Sequence, residues 1–294
     1  KYMEFLRDDM RERGISVPLI ACNNMAQTVS GVIETYNQGY GFEKPFKVYR
    51  KRFPKNPFFV TEFWCGWFDQ WGKKHSTRDA GFMAGQLRKI KNLGGMYCQY
   101  MFNGGTNFGF WGGRTIGADD VYMTTSYDSD APLSEAGLMT KKYIEFSKVN
   151  YSLRGKNPPK LVKRIPKNLL KLPVLKNWKR NETADLKWKK IKSYESFEKL
   201  GRYLGYGIYK TNLFAKENKD ISLFFSKFGD KIKVFINKKY FGTFGRGKGA
   251  SRKPLKAKIN KGLNKFIFFV DNMGRFCYSQ SIGEQKGIFG PVYL

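Results

Sequence analysis

The sequence holds one histidine, His75, in 294 residues. A lone imidazole excludes mechanisms that pass a proton between two histidines, and it argues against any Ser-His-Asp or Cys-His relay. Its polar surroundings, GKKHSTRD, predict simple exposure. Four cysteines, Cys22, Cys65, Cys98 and Cys277, lie far apart with no CxxC pair, which argues against a structural zinc site. The first three fall near the ends of expected strands and read as small buried thiols lining a common core, with no disulfide framework. No apolar run approaches the roughly 18 residues of a membrane-spanning helix. The glycine-rich stretches GGTNFG and GRGKG lack the GxxxxGK[ST] spacing, so no phosphate-cradling loop is expected. GRGKG at 245–249 reads as a hairpin loop instead. Solenoid repeats and coiled-coil heptads are absent.

Acidic residues are scarce, and unevenly so. Residues 1–150 hold 20 Lys+Arg against 15 Asp+Glu, whereas residues 151–294 hold 34 against 9. A surface so basic suits nucleic acid, acidic glycans or an anionic surface. A lysine-rich solvated surface accounts for the charge as well, and 26 phenylalanines fit a compositional bias toward Lys and Phe together. With no recognised binding module, no nucleic-acid partner is expected. The chain opens KYMEFLRDDM, with neither an initiator methionine nor a signal peptide's apolar core, and reads as a processed protein or a fragment.

Strand and helix signals alternate through residues 1–102. A helix is expected over 1–13, closed by Gly14, then strands at Val17–Ala21 and Val32–Tyr36 and a helix over 44–53. A strand from Pro57 should end near Glu62. Ser76-Thr77-Arg78-Asp79 resembles a capping box before a helix that places Met83, Leu87 and Ile90 inward. The next strand is expected at Met96–Met101. That alternation is the signature of βα units and a parallel sheet. Residues 151–192 are rich in Pro and Lys and read as a linker. Beyond them, short strands are expected at 203–214, 221–228, 231–236, 239–244, 266–270 and 277–282, with turns at Gly229-Asp230 and Asn237-Lys238. This spacing predicts an all-β sandwich.

The most informative stretch is PFFVTEFWCGWFDQWG at 57–72. A carboxylate at a strand's C-terminal end, walled by indole rings, suits the cleavage of a sugar. The carboxylate meets an oxocarbenium-like carbon, and aromatic faces stack on a pyranose. A core strand with a salt-bridged glutamate would carry the same residues. The segment TEFWCGWFDQWG resembles the nucleophile segment of glycoside hydrolase family 35, the retaining β-galactosidases. YMFNGGTNFGFWGG at 100–113 and TSYDSDAPLSEAG at 126–137 are similar to the same family, in the right order.

The resemblance implies a fold and a chemistry. Residues 1–150 would be the second half of a (β/α)8 TIM barrel, residues 151–192 a linker, and residues 193–294 a jelly-roll β-sandwich of the galactose-binding-domain type. Four visible strands against the barrel's eight fit a half. Glu62 would be the nucleophile. Trp67 would line the sugar site, Tyr100 would hydrogen-bond near the nucleophile, and Tyr127 would contact galactose. Around Tyr127 the family often reads SYDYDAP, and here Ser129 replaces the second tyrosine. The family's acid/base glutamate sits at the end of strand four, before Lys1, and no residue of this sequence matches it by motif. The implied partner is a terminal β-galactoside of a glycan or oligosaccharide, with no cofactor and no metal. Asp128 and Asp130 lack further spaced oxygen ligands and read as turn carboxylates. Members of the family are commonly secreted, periplasmic, vacuolar or lysosomal. Two alternatives stay open: an exo-glycosidase of other sugar preference, and an inactive truncated or glycan-binding protein.

Overall fold

The computed structural model describes residues 1–115, 121–158, 188–278 and 281–294. The chain forms two compact units. The first is built from Lys1–Asp69, Lys74–Thr106 and a segment starting at Ser126; the second from Gln70–Lys73, Asn107–Thr125 and the segment closing at Leu294. The expected linker lies mostly outside the described residues.

The first unit runs α1 (Tyr2–Glu12), β1 (Leu19–Ala21), β2 (Val32–Glu34), β3 (Tyr36–Gln38), α2 (Glu43–Arg52), β4 (Phe59–Trp64), α3 (Ala80–Asn92), β5 (Met96–Tyr100), β6 (Gly105–Thr106), β7 (Ser126–Tyr127) and α4 (Lys141–Ser152). Strands β1 and β2 pair in parallel, as do β3, β4 and β5 in that order. Thr35 alone separates β2 from β3. The α2 and α3 crossovers make this a β/α layer, as the alternation implied.

The core lies between strands and helices. Phe42 and Tyr49 of the α2 region, Val60 and Phe63 of β4, Met83, Leu87 and Ile90 of α3, and Phe146 and Val149 of α4 form one buried cluster. Fully burying Met83, Leu87 and Ile90 contributes about 1.5–3 kcal/mol each. Helix α3 starts at Asp79, whose carboxylate accepts from the Phe82 N–H at 2.7 Å. Ser76 does not cap it, because the Ser76 N–H is held by Asp69 at 2.7 Å, which keeps that stretch extended. The hydroxyl of Tyr49 lies 2.7 Å from Glu34 O and 2.9 Å from Pro57 O, tying α2 to β2 and to the segment that leads into β4.

The thiols do not share a core. Cys65 is buried, whereas Cys22, Cys98 and Cys277 are exposed. The period-two alternation of β5 explains Cys98: Met96, Cys98 and Tyr100 face away from the helices, and Tyr97 packs against the helix-side core. Burial pushes the Cys65 thiol up to about 11, leaving it protonated and inert near neutrality.

The second unit is a β domain: β8 (Glu195–Ser196), β9 (Tyr206–Ala215), β10 (Lys219–Phe225), β11 (Phe228–Gly229), β12 (Lys231–Ile236), β13 (Lys239–Gly245), β14 (Leu255–Ile259), β15 (Gly262–Asp271), β16 (Gly287–Ile288) and β17 (Val292–Tyr293). One antiparallel sheet has the order β13-β12-β15-β9; others have the orders β14-β10-β17 and β11-β16-β8. They share a core of Leu223, Phe225, Ile232, Val234, Phe244, Ala257, Phe266, Phe268 and Ile288. The β12–β13 hairpin turns at Asn237 and Lys238, both in the left-handed region at φ 50° and 69°, which fits a two-residue turn.

Three expectations for this unit change. β14 and the two-residue strands β8, β16 and β17 have no counterparts among the expected strands. The strand expected at 277–282 is not one at its described residues; Phe276 makes only an isolated bridge with Arg114. Gly229-Asp230 is not a hairpin turn, because Asp230 is buried in an ion cluster. Lys286 contacts both Asp230 and, at 2.7 Å, Glu284; Arg114 lies 2.5 Å from Glu284 and 3.4 Å from Asp230; Arg246 lies 3.6 Å and 3.9 Å from the same two carboxylates. Burial lifts the Asp230 carboxyl above its ordinary value, and the Lys286 ammonium pulls it back. Burial also pushes Glu284 up, but Lys286, Arg114 and Arg246 hold it below its ordinary value.

Three cations against two anions make the cluster sensitive to which charge is lost. Asp230→Asn leaves three cations, two of them buried, on one carboxylate and should destabilise the domain by about 3–5 kcal/mol in urea unfolding. Lys286→Met leaves two against two and should cost markedly less. The reverse ranking would show that the cluster is not held by charge balance.

Candidate active site

Strand β4 carries the site through a break in its alternation. Val60 and Phe63 are both fully buried, with two half-buried residues, Thr61 and Glu62, between them. The register with β3 shifts between Tyr36 and Asn37, and that with β5 between Val60 and Phe63. One extra residue in a strand turns the residues beyond it onto the other face. Glu62 and Trp64 therefore share the face opposite Val60 and Phe63. The strand does not stop at Glu62; pairing continues through Phe63↔Gln99 and Trp64↔Tyr100.

With Glu62 and Trp64 two apart on one face, Trp64 Nε1 donates to Glu62 Oε2 at 2.9 Å. Hydrogen bonds also hold the bulge itself. Thr61 Oγ1 donates to Asn37 Oδ1 at 2.8 Å and lies 2.7 Å from Thr35 Oγ1. Asn37 in turn donates to Cys22 O at 3.0 Å, and its N–H donates to Asn24 Oδ1 at 2.6 Å. Hydroxyls and amides thus line the carboxyl ends of β1 to β4.

Aromatic contacts extend from Trp64. Its ring meets Trp67 edge-on at 5.8 Å, Trp67 meets Phe68 at 5.0 Å, and Phe68 stacks on Tyr127 at 5.8 Å and 16°. Glu62, Trp67 and Tyr127 are thereby joined through Trp64 and Phe68, whereas Tyr100 neighbours Trp64 through the β4–β5 ladder alone. Sequence reasoning places Trp64 only in an aromatic wall; its spacing from Glu62 on a strand is the available signal for the hydrogen bond.

Behind these residues the backbone is locked. A Cβ on Gly66 would meet Ser129 O at 1.9 Å, so only glycine fits there. Asp130 accepts from the Arg78 N–H at 2.6 Å and pairs with the buried Lys142, whose Nζ also donates to Asp130 O at 2.8 Å. The Arg78 guanidinium donates to Trp64 O at 2.8 Å and lies over the Tyr40 ring. Asp130 is a structural carboxylate rather than a cation ligand, and among the described residues no group of three His, Cys, Asp or Glu side chains could hold a metal. Ser129 is buried, and its carbonyl occupies the space that a side chain at Gly66 would need.

Residues 1–152 match the family model for glycosyl hydrolases family 35, and residues 195–294 match the model named beta-galactosidase, first all-beta domain. The chain belongs to glycosyl hydrolases family 35. It is similar to the mouse protein named beta-galactosidase, at 30% identity over 96% of this chain and 43% of the relative. A bovine beta-galactosidase is 31% identical over 96% of this chain and 43% of its own length. Mouse beta-galactosidase-1-like protein 3 is 28% identical over 98% of this chain and 45% of its own. The chain thus spans about half the length of the relatives it matches.

His75 is exposed but bound: its Nδ1 lies 2.8 Å from Asp69 Oδ2. The Asp69 bond lifts the imidazole above its ordinary 6.5. Burial pushes the Asp69 carboxyl up, but the Ser76 N–H and the His75 ring together hold it below its ordinary 3.8. A raised histidine stabilises fully below 6.5 and loses that contribution as pH rises through its folded value. A lowered aspartate stabilises above 3.8 and loses its contribution as pH falls through its folded value. The pair therefore contributes most between those two ordinary values. His75 gives the protein's single imidazole signal, so NMR should show it titrating above 6.5 and returning toward 6.5 in Asp69→Asn. An unchanged titration in that variant would exclude the pairing in solution.

Proposed function

We propose that this chain supplies the nucleophile side of a retaining exo-β-galactosidase site. On this reading the first unit is the second half of a (β/α)8 barrel and the second a jelly-roll domain. The observation that supports it most is the bulge in β4. It turns a carboxylate onto the face opposite the helix-side core, at the carboxyl end of a parallel strand, beside an indole donor. Barrel enzymes use that end of the strands for chemistry.

Glu62 attacks the anomeric carbon and the leaving oxygen departs with a proton from a second carboxyl. Water then attacks the glycosyl-enzyme and frees the sugar with retained configuration. Trp64 holds Glu62 Oε2, which leaves Oε1 as the attacking oxygen. Trp67 and Tyr127 offer ring faces and a phenol to the galactose, and Tyr100 offers a phenol beside Trp64. The acid/base carboxyl is one that no motif in residues 1–294 supplies. The substrate is a terminal β-galactoside; the beta-galactosidase names of the relatives support that choice over another sugar.

Two variants of the intact protein test the reading. Glu62→Gln should lower kcat on a nitrophenyl β-galactoside by about 10³-fold or more, and a 2-deoxy-2-fluoro galactoside should label the Glu62 peptide of wild type alone. Wild-type rates in Glu62→Gln refute the assignment, and preferential cleavage of another sugar in a nitrophenyl glycoside panel refutes the specificity. Trp64→Phe keeps the ring and removes a donor to a charged group, an interaction of about 1.5–3 kcal/mol. It should lower kcat/KM about tenfold or more without a comparable loss of thermal stability.

A further inference from the structure

The β domain holds a concave surface, within the second unit. A trough of about 990 Å³ runs along β10, β14 and the β12–β13 turn. Lys239, Lys256 and Lys258 line it with the neutral polar Ser222, Asn237 and Asn260, and the buried Ile221, Ile236 and Ala257 add an apolar part. The lysines stand there for a structural reason. On β14 the residues Leu255, Ala257 and Ile259 turn inward, so Lys256 and Lys258 must turn outward, about 7 Å apart along the strand. They face Ser222 and Asp220 across the β10–β14 ladder. Asp220 is the single acidic residue in the lining; it lies 3.8 Å from Lys258, with both side chains largely exposed. A screened pair of that kind neutralises little, and the trough stays positive.

We infer that this trough binds an acidic polysaccharide, a chain bearing sulfate or carboxylate groups. Ammonium groups on neighbouring outward positions meet a polyanion's charges, and releasing its counterions drives association. Hydroxyl and amide side chains between them meet sugar hydroxyls. Single-stranded nucleic acid would want open aromatic faces for its bases. The trough's one aromatic, Phe241, is half-buried and has Lys239 Nζ over its ring at 5.6 Å, so it offers none. The site is built from β-domain residues alone, and its occupancy does not depend on the hydrolytic reading.

Heparin serves as the probe, measured by calorimetry and by salt elution from a heparin column. Replacing Lys239, Lys256 and Lys258 together by Glu should weaken binding about tenfold or more at low salt. Replacing Lys199, Lys233 and Lys265 by Glu makes the same charge change outside the trough and should weaken it less than about threefold, the residual long-range effect. Gln at the three trough positions should give an intermediate loss, and circular dichroism should show all three proteins folded. Equal losses in the two Glu variants overturn the proposal, because net charge alone would then explain binding. Duplex DNA bound as tightly as heparin, with the same dependence on the trough lysines, also overturns it.

Discussion

The first unit depends on one extra residue in β4. A regular strand from Val60 would send Glu62 and Trp64 to the same side as Val60, into the layer with Phe42, Met83 and Leu87. A carboxylate buried there without a partner would cost several kcal/mol or stay protonated. The bulge avoids that cost and returns Phe63 to the core, where it meets Phe42, Tyr97 and Phe146. The apolar ring and the charged group each reach the right side only because Thr61 and Glu62 fall together between two buried positions. This also accounts for a threonine at position 61. An extra residue loses its place in the ladder, and a hydroxyl that bonds to Asn37 beside Thr35 replaces part of what is lost.

Each unit then fixes a loop with a buried ion pair. Asp130 and Lys142 hold the segment under Gly66, and Asp230 with Lys286 holds the start of β12 against the chain before β16. Such pairs gain little net stability over apolar packing, because desolvation offsets their attraction. What they do is penalise any arrangement that separates the partners. Gly66 acts in the same sense by sterics, since the Ser129 carbonyl occupies the space of a side chain. The loop after Glu62 therefore has one backbone position open to it.

Much of this is legible in the residues, and the failures have specific causes. The βα alternation and the Asn237-Lys238 turn follow from periodicity and turn chemistry, and the structure has them; the four expected strands are present as five in two parallel sheets, because the second is divided at Thr35. The carboxyl end of β4 is recognisable from PFFVTEFW, but the bulge is not. Period-two reasoning assumes unbroken alternation, and nothing in VTEF marks where it fails. The start of α3 differs from expectation because Ser76 has good capping chemistry, while its N–H is engaged by a residue seven positions away. Cys98 differs because proximity to a strand end does not say which face a residue takes. β14 alternates cleanly in LKAKI, but lysine and alanine are poor strand formers, so its composition speaks against the strand that its pattern supports. Asp230 looks like a turn residue because Gly-Asp usually is one; its three cationic partners are spread over positions 114, 246 and 286.

The distribution of lysine in the β domain has a structural logic of its own. Every inward position of β12, β14 and β15 except Asn264 is apolar, so the lysines of these strands are confined to outward ones. Strand alternation turns a compositional excess into ordered rows of charge, whatever the excess arose from. Rows of like charge repel and destabilise the fold that displays them, and interspersed acids would relieve the strain. On β10 and β14 only Asp220 does so. An anion placed over that concave stretch would relieve the repulsion, and a flexible, hydroxyl-rich polyanion can follow that concavity where a rigid duplex cannot.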